Sequence, residues 1–80
     1  MITDEILDQY RIEGTKLRVI RDADPVNDVK GIVLAWDDEF VLIRKQNRRV
    51  LKLHRGYVYQ PFTDERPKEF TLPNLPSVEE

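Results

Sequence analysis

Between residues 40 and 60 the chain carries six Lys or Arg side chains and no carboxylate. They lie among β-forming residues, which predicts a positively charged β-hairpin. Residues 1–39 contain ten carboxylates and only five Lys or Arg, so the net charge of −2 conceals an uneven distribution. A positive β-hairpin next to an acidic half makes nucleic-acid binding the first hypothesis to test. The six residues are Arg44, Lys45, Arg48, Arg49, Lys52 and Arg55.

The basic residues also have a simpler interpretation, in which they form the solvated faces of two strands and a turn. In an oligomer they would then neutralise the acidic half of a neighbouring chain. If Arg44, Lys52 and Arg55 instead project on one face, they can contact about three phosphates. Binding to a single strand would then weaken with salt at a log–log slope of about −2, using ~0.7 per contact.

Aromatic residues beside the cations add the possibility of base stacking. We predict that Trp36, which ends an apolar run, lies in the core and that Phe40 is the more exposed ring. Tyr57 and Tyr59 share one strand face at period two, which suits base stacking and packing across a subunit edge equally. The single histidine, His54, is by itself more typical of a packed or rim residue than of a base contact.

The composition argues against an enzyme, a metal site and a cofactor. The chain has no cysteine, one histidine and one serine, Ser77, and its three glycines are scattered. The aspartates Asp22, Asp24 and Asp28 lack the central glycine and the bidentate glutamate of an EF-hand loop, so we predict a solvated turn there. Adjacent carboxylates at residues 37–39 do not face each other across a cleft, as general acid–base catalysis requires.

Two absences favour a cytoplasmic protein. No apolar run approaches the roughly 18 residues that span a bilayer. The N-terminal residues are acidic and lack the basic and apolar segments of a signal peptide.

Local patterns predict one helix, five strands and a tail. Thr3 is a suitable N-cap, Ile2 and Leu7 have the spacing of a hydrophobic staple, and Gly14 is a suitable stop, so we expect a helix over residues 4–12. Apolar runs between turn residues predict the strands. The predicted strands are Lys16–Arg21, Ile32–Trp36, Phe40–Ile43, Val50–His54 and Tyr57–Tyr59.

These elements predict a mainly β fold: a short N-terminal helix, then a five-stranded, strongly bent antiparallel small barrel. Gly31 and Gly56 fall where tight curvature requires a missing side chain. Four of the five prolines lie from Pro61 onward with five carboxylates. We therefore divide the chain into a barrel domain over residues 1–62 and an extended or disordered acidic tail over residues 63–80.

The segment Lys30–Asp37, K-G-I-V-L-A-W-D, followed by Phe40–Ile43, F-V-L-I, resembles the first signature of Sm-like proteins. That signature is a glycine, alternating apolar residues, an aromatic residue, an aspartate and an apolar strand. Within this family the chain is similar to the bacterial Hfq branch, whose members are RNA chaperones. Two features carry this resemblance: a short helix precedes the first strand, and His54 lies seven positions before Pro61. The resemblance covers roughly residues 3–67.

The resemblance implies a ring of usually six subunits that binds single-stranded RNA. In such a ring the fourth and fifth strands of neighbouring subunits pair, and an open barrel with an apolar edge has a physical need for such a partner. The implied edge residues are Val50, Leu51, Leu53, Tyr57, Val58 and Tyr59.

The resemblance also implies roles for single residues. Phe40 would stack a base on the helix-bearing face, His54 would lie in the uridine pocket, Asp4 near the helix entry and Arg11 on the outer rim. The predicted RNA-binding residues are therefore Phe40, Lys52, His54, Arg44, Arg55 and Arg11. The chain departs from the family at Leu53 and Lys52, where the family has a lysine and a tyrosine. It also has one basic residue, Arg11, where the rim has a pair, and a longer, more acidic loop over residues 22–28.

A second hypothesis is a Src-homology-3-like barrel that contacts proteins and binds no nucleic acid. Its aromatic groove would hold the Pro-rich tail of its own or another chain, because segments such as Leu72–Pro76 favour the polyproline II conformation.

Overall fold

The computed structural model describes residues 1–67, and its helix α1 spans Asp4–Glu13. The side chain of Thr3 accepts a hydrogen bond from the Ile6 N–H at 3.3 Å, and Gly14 ends the helix in the left-handed conformation at φ 65°. Both predicted caps are confirmed, and the helix is one residue longer than predicted.

Helix α1 is attached to the sheet through a single fully buried residue. Leu7 is 0 % exposed in the core, and Ile2, on the N-terminal side of the cap, is partly buried against that core. These positions agree with the predicted staple. Ile6 and Ile12 remain exposed, so only a narrow stripe of the helix is buried.

All five predicted strands are present; the strand Val50–His54 has the predicted bounds, and the other four have shifted ends. The five strands are β1 (Leu17–Ile20), β2 (Val29–Trp36), β3 (Phe40–Arg44), β4 (Val50–His54) and β5 (Val58–Pro61). Strand β2 begins earlier than predicted because Val29 and Lys30 pair with β1. Strand β5 begins after Tyr57 and runs to Pro61, because its register against β1 extends as far as the Leu17–Pro61 pair.

The strands form one antiparallel sheet in the order β4-β3-β2-β1-β5, so the predicted fold class is confirmed. Within residues 1–67 the sheet does not close, and β4 and β5 are its two edges. A register shift between Val33 and Ala35 interrupts the pairing of β2 with β3, and such bulges bend a strand.

The core lies on one side of this sheet. Alternate residues of the strands point into it, among them Val19, Val33, Val41 and Ile43, each at most 3 % exposed. Trp36 is only partly buried and lies at the border of the core, so the prediction of a core tryptophan holds in part.

Gly31 lies inside β2 and allows a close approach of β2 and β3. A Cβ atom at this position would overlap the Arg44 carbonyl oxygen and lie 2.7 Å from Cγ2 of Ile43. Gly31 therefore has no room for a side chain, and the cause is the close approach of the neighbouring strand, whereas the sequence pattern predicts tight curvature as the cause.

The acidic loop between β1 and β2 contains a short 3-10 helix, Pro25–Asn27, and is not wholly a solvated turn. The Asp28 side chain is 2 % exposed and accepts hydrogen bonds from Arg66 at 2.9 and 3.2 Å. Arg66 also donates to the Asp22 carbonyl at 2.8 Å.

Arg66 belongs to the segment that the sequence assigned to the tail. Gln60 also reaches this segment, donating to the carbonyls of Asp64 and Glu65 at 3.1 and 3.2 Å. Residues 64–66 are thus attached to the body. The rest of the predicted tail, residues 68–80, lies outside the described residues.

Of the described part of the chain, no helix is long and apolar enough to cross a membrane.

Candidate nucleic-acid interface

The solvent-facing side of β3 and β4 presents three cross-strand rows of side chains. Their register pairs Phe40 with His54, Leu42 with Lys52, and Arg44 with Val50. Residues two apart in a strand share a face, so all six lie opposite the buried Val41, Ile43 and Leu53. The alternation of the sequence therefore brings predicted RNA-binding residues together on one surface.

Phe40, Lys52, His54 and Tyr57 form what we call the aromatic cluster. The Lys52 ammonium lies 4.4 Å from the centroid of the Phe40 ring. The His54 ring meets Phe40 edge-on at 5.9 Å and is 6.1 Å from Tyr57. The cluster joins half-buried rings to an exposed cation, a combination that suits stacking on a base and contact with its phosphate.

The turn before β3 determines where Phe40 lies. The Asp37 carboxylate accepts hydrogen bonds from the N–H groups of Glu39 and Phe40, both at 2.8 Å. These two donors lower the pKa of Asp37 below its ordinary value, and the nearby charges of Lys52 and Arg55 act in the same direction. An ionised aspartate therefore holds the start of the strand that carries the ring.

His54 is oriented by a hydrogen bond to its own turn. Its Nδ1 atom accepts from the Gly56 N–H at 2.9 Å, so in the neutral ring the proton is on Nε2. The imidazole thus has a donor left for a ligand. The His54 carbonyl accepts from the Tyr59 hydroxyl at 2.8 Å, which fixes the backbone of the same residue.

Arg55 is not available to a phosphate, contrary to its predicted place among the RNA-binding residues. It is 6 % exposed, and its guanidinium donates to the Ile2 carbonyl at 3.2 Å, the Asp37 carbonyl at 2.8 Å and the Asp4 carboxylate. The Trp36 indole N–H donates to the same Asp4 oxygen at 3.2 Å. Arg55 therefore joins the start of α1 to the β2–β3 turn.

Arg11 and Arg44 lie away from this cluster. Arg11 is exposed on α1 and pairs with Asp8 at 2.8 Å. Arg44 is exposed at the opposite end of β3 from Phe40. The geometry brings together Phe40, Lys52 and His54 from the predicted set. Arg11 and Arg44 lie away from them, whereas Arg55 is near but buried in contacts with its own chain.

The predicted edge residues divide into two groups. The side chains of Leu53 and Tyr59 are 5 % and 9 % exposed and belong to the core. Burial raises the pKa of the Tyr59 hydroxyl well above its ordinary value, and Tyr57 adds to this effect. Val50 is 48 % exposed on the β4 edge, and Leu51, Tyr57 and Val58 are half-buried. Of the two roles left open for Tyr59, its position in the core leaves no exposed ring face for stacking on a base.

Sequence reasoning missed Lys16, Lys30 and Phe62. Lys16 and Lys30 line a groove with Arg44, and their ammonium groups lie 4.5 and 5.5 Å from the centre of the Phe62 ring. They are distant in sequence from the basic stretch, so composition gave no sign of them. The register of β2 and β3 is what brings Lys30 near the basic stretch, because Lys30 lies two residues before Ile32 and Ile32 pairs with Arg44.

Within residues 1–67, no three His, Cys, Asp or Glu side chains are grouped as metal ligands. The described residues of the interface present aromatic rings beside a positive charge.

Comparisons with known proteins return no match: no family model, no curated protein and no solved structure corresponds to this chain.

Proposed function

We propose that this protein binds single-stranded RNA through the aromatic cluster, as an Sm-like subunit of a ring-forming homo-oligomer. Phe40 stacks on a base, the Nε2–H of His54 donates to the base edge, and Lys52 contacts the adjacent phosphate. RNA held in this way can be remodelled or presented to a second RNA, which is the role of an RNA chaperone or post-transcriptional regulator. No bond is made or broken.

The observation that carries this proposal is the Phe40–Lys52–His54 arrangement. The residues come from two strands and meet because Phe40 pairs with His54 across β3 and β4. The Lys52 ammonium is 4.4 Å from the Phe40 ring, so the cation and the aromatic surface are presented at one place. Because stacking tolerates any base, a single ring–cation site gives little sequence readout on its own.

A polarisation titration against U-rich and A-rich oligonucleotides tests the proposal. We expect sub-micromolar binding that weakens with salt, with the Lys52–phosphate contact contributing about −0.7 to the log–log slope. Phe40→Leu keeps apolar bulk but removes the aromatic face, and it should weaken binding by about 5- to 150-fold, the equivalent of ~1–3 kcal/mol.

Lys52→Gln has a matched control in Arg49→Gln. Each removes one exposed positive charge, but only Lys52 belongs to the aromatic cluster. We expect a weaker salt dependence for Lys52→Gln and an unchanged slope for Arg49→Gln. Absence of binding at low salt would end the RNA proposal.

The two sheet edges support the ring. Strands β4 and β5 each have one hydrogen-bonded neighbour in the described chain, and an unpaired edge favours addition of a further strand. Pairing β4 of one copy with β5 of the next continues around a closed ring.

Light scattering measures the ring directly, since six copies of the 9.5 kDa chain give about 57 kDa. Val50→Lys places a charge on the β4 edge and should dissociate the particle. Val26→Lys makes the same change at a valine in the β1–β2 loop that is 82 % exposed, and should not. A wild-type mass near 9.5 kDa removes the ring from the proposal.

One observation favours protein contact as a second candidate function. A groove of about 320 Å³ lies between the N-terminal segment and β5, lined by apolar and aromatic residues. Its main members are Ile2, Ile6, Tyr10, Tyr57 and Val58. A groove of this kind suits a polyproline II segment.

Deleting residues 68–80 separates the two functions while retaining Arg66 and its contact with Asp28. The deleted segment has one Lys and three Glu. Under the RNA proposal, removal of this negative charge leaves or tightens RNA affinity. Under the protein-contact proposal, it changes the oligomeric state or the capture of a partner.

A further inference from the structure

A second cationic surface lies at the far end of β3 from the aromatic cluster. It is a groove of about 790 Å³ between the start of β2, the end of β3 and the β3–β4 turn. We call it the cationic groove, because all of its charged lining residues are positive. These residues are Lys16, Lys30, Arg44, Lys45 and Arg48.

No carboxylate of the described chain pairs with these five cations. The ion pairs within residues 1–67 involve Arg11, Arg18, Arg55 and Arg66. The arginines that the fold uses for its own contacts are therefore separate from the cations of the groove. Five like charges in one concave surface repel one another and attract an anion of several charges.

Phe62 holds two of these lysines at the groove. Its backbone N–H donates to the Lys16 carbonyl at 2.8 Å, which fixes the residue beside β1. Its ring lies 4.5 Å from the Lys16 ammonium and 5.5 Å from that of Lys30, with the Arg18 guanidinium at 5.2 Å. These cation–π contacts order long side chains before any ligand arrives.

Arg48 adopts a backbone conformation that favours glycine or asparagine. Its φ is 70°, and in the described chain it is the one residue other than glycine with a positive φ. Arg48 is the last residue of the turn, and its N–H donates to the Lys45 carbonyl at 2.9 Å. Glycine commonly occupies this position in hairpins. An arginine at a strained position is typical of a functional constraint, and here it lines the groove.

The groove and the aromatic cluster lie on one continuous face. Lys30 and Ile32 share a face of β2, Ile32 pairs with Arg44, and Arg44 shares a face of β3 with Phe40. Phe40 and Arg44 are four positions apart along β3, roughly 13 Å at ~3.3 Å per position.

We propose that the cationic groove binds consecutive phosphates, and that its ligand is the backbone of the RNA strand whose base lies at the aromatic cluster. The nucleic-acid part rests on the proposed function, whereas the phosphate site rests on the groove alone. The strand crosses the outer face of the sheet from Phe40, past Lys52 and Arg44, to Lys30 and Arg48. The groove has no carboxylate among its lining residues to repel the phosphates.

The first experiment uses inorganic tripolyphosphate, which has consecutive phosphates and no base, and measures its affinity by calorimetry. The variant pair Lys30→Gln with Arg48→Gln should lose at least about tenfold, since charge-assisted hydrogen bonds are removed. Arg49→Gln changes the neighbouring turn residue, which is outside the groove, and should stay within about twofold of the wild type. Equal affinity of the wild type and the double variant overturns the proposal.

The second experiment uses oligouridylates of about 4 to 12 nucleotides, a range that single-strand sites commonly cover. Wild-type affinity should rise with length until the strand reaches the groove. The double variant should lose this rise, and its salt slope should be smaller by about 1.4, for two contacts at ~0.7 each.

The outcomes distinguish the two proposals. Tripolyphosphate binding that needs the groove, without any oligonucleotide binding, supports the phosphate site and removes the RNA function. Oligonucleotide binding with an unchanged length dependence and salt slope in the double variant supports the RNA function and overturns the groove. Circular dichroism establishes that each variant is folded, and Arg48→Asn, which suits a positive φ, gives a groove variant without backbone strain.

Discussion

The two ends of the outer sheet face use the same kinds of residue in opposite ways. At the Phe40 end, Arg55 is buried and its guanidinium has three acceptors from its own chain. At the Arg44 end, five cations line a groove, and none is paired with a carboxylate of the described chain.

The difference follows from where the carboxylates and carbonyls lie. Asp4 and the Asp37 carbonyl approach the Phe40 end from α1 and from the β2–β3 turn, so an arginine there becomes part of the fold. The β3–β4 turn has no acidic residue, so its arginines keep their charge for a ligand. Basic residues in one stretch of sequence can therefore have structural and binding roles only a few residues apart.

The largest effect is expected from Arg55→Met at the Phe40 end. The change removes three donors and leaves one carboxylate and two carbonyls without them, so the free energy of unfolding should fall by about 2–4 kcal/mol. Urea denaturation measures it. Arg49→Met is the exposed control and should stay within ~0.5 kcal/mol. An equal loss in both variants would contradict a structural role for Arg55.

Gly31→Ala tests the Arg44 end. The added Cβ would overlap the Arg44 carbonyl oxygen, so β2 and β3 must separate, at a cost of about 1–3 kcal/mol in unfolding free energy. Because Gly31 and Arg44 line the groove, tripolyphosphate affinity should change as well.

Gly14→Ala provides the contrast to Gly31→Ala. A Cβ there has nothing within 4 Å, but the φ of 65° makes any side chain strained. It should also lower stability, by about 1–2 kcal/mol, while leaving tripolyphosphate affinity unchanged. If neither variant alters the affinity, the groove does not depend on the close approach of β2 and β3.

The pH dependence of stability tests the turn that positions Phe40. The pKa of Asp37 is lower in the fold than its ordinary value of 3.8, mainly because the Glu39 and Phe40 N–H groups donate to the carboxylate. A lowered pKa stabilises the fold above that ordinary value, and the contribution is lost as pH falls below it, through the native pKa.

Asp37→Asn keeps an acceptor oxygen but removes the charge. Its urea midpoint should lie below that of the wild type near neutral pH and converge with it as the pH falls from about 6 to about 2. A constant difference across this range would show that the charge of Asp37 contributes nothing to the turn.

The smallest effect is expected from Arg48→Asn. Asparagine tolerates a positive φ better than arginine, so the free energy of unfolding should rise by up to ~1 kcal/mol while tripolyphosphate affinity falls. Arg49→Asn, in the same turn, should produce neither change. A rise in stability without a loss of affinity would separate the strain at Arg48 from ligand binding.

Much of the local structure could be predicted because its causes are local. The helix begins after Thr3 and ends before Gly14 as expected, since capping depends on a few neighbouring residues. The apolar runs placed all five strands, because burial on one face requires alternation. Their ends were less accurate: Val29 and Pro61 joined the sheet through pairing with β1, which no local pattern records.

The site was predicted in part for the same reason. Phe40, Lys52 and His54 lie on two strands joined by a short turn, so their spacing was enough to bring them together. Arg55 was misassigned because its three acceptors are up to 53 residues away in sequence. Lys16, Lys30 and Phe62 were missed because they come from three separate segments: the two lysines line the groove, and Phe62 contacts their ammonium groups.

The helix, the number of strands and the excess of positive charge after residue 40 follow from the order of the residues, because capping, alternation and composition act over short distances. Which of these cations find a partner within the described chain depends on how distant segments pack together. The charge of an arginine is available to a ligand only when no acceptor of the fold reaches it, and that depends on segments far apart in the chain. For Arg55 such acceptors are present, whereas no carboxylate of the described chain pairs with Arg44 or Arg48.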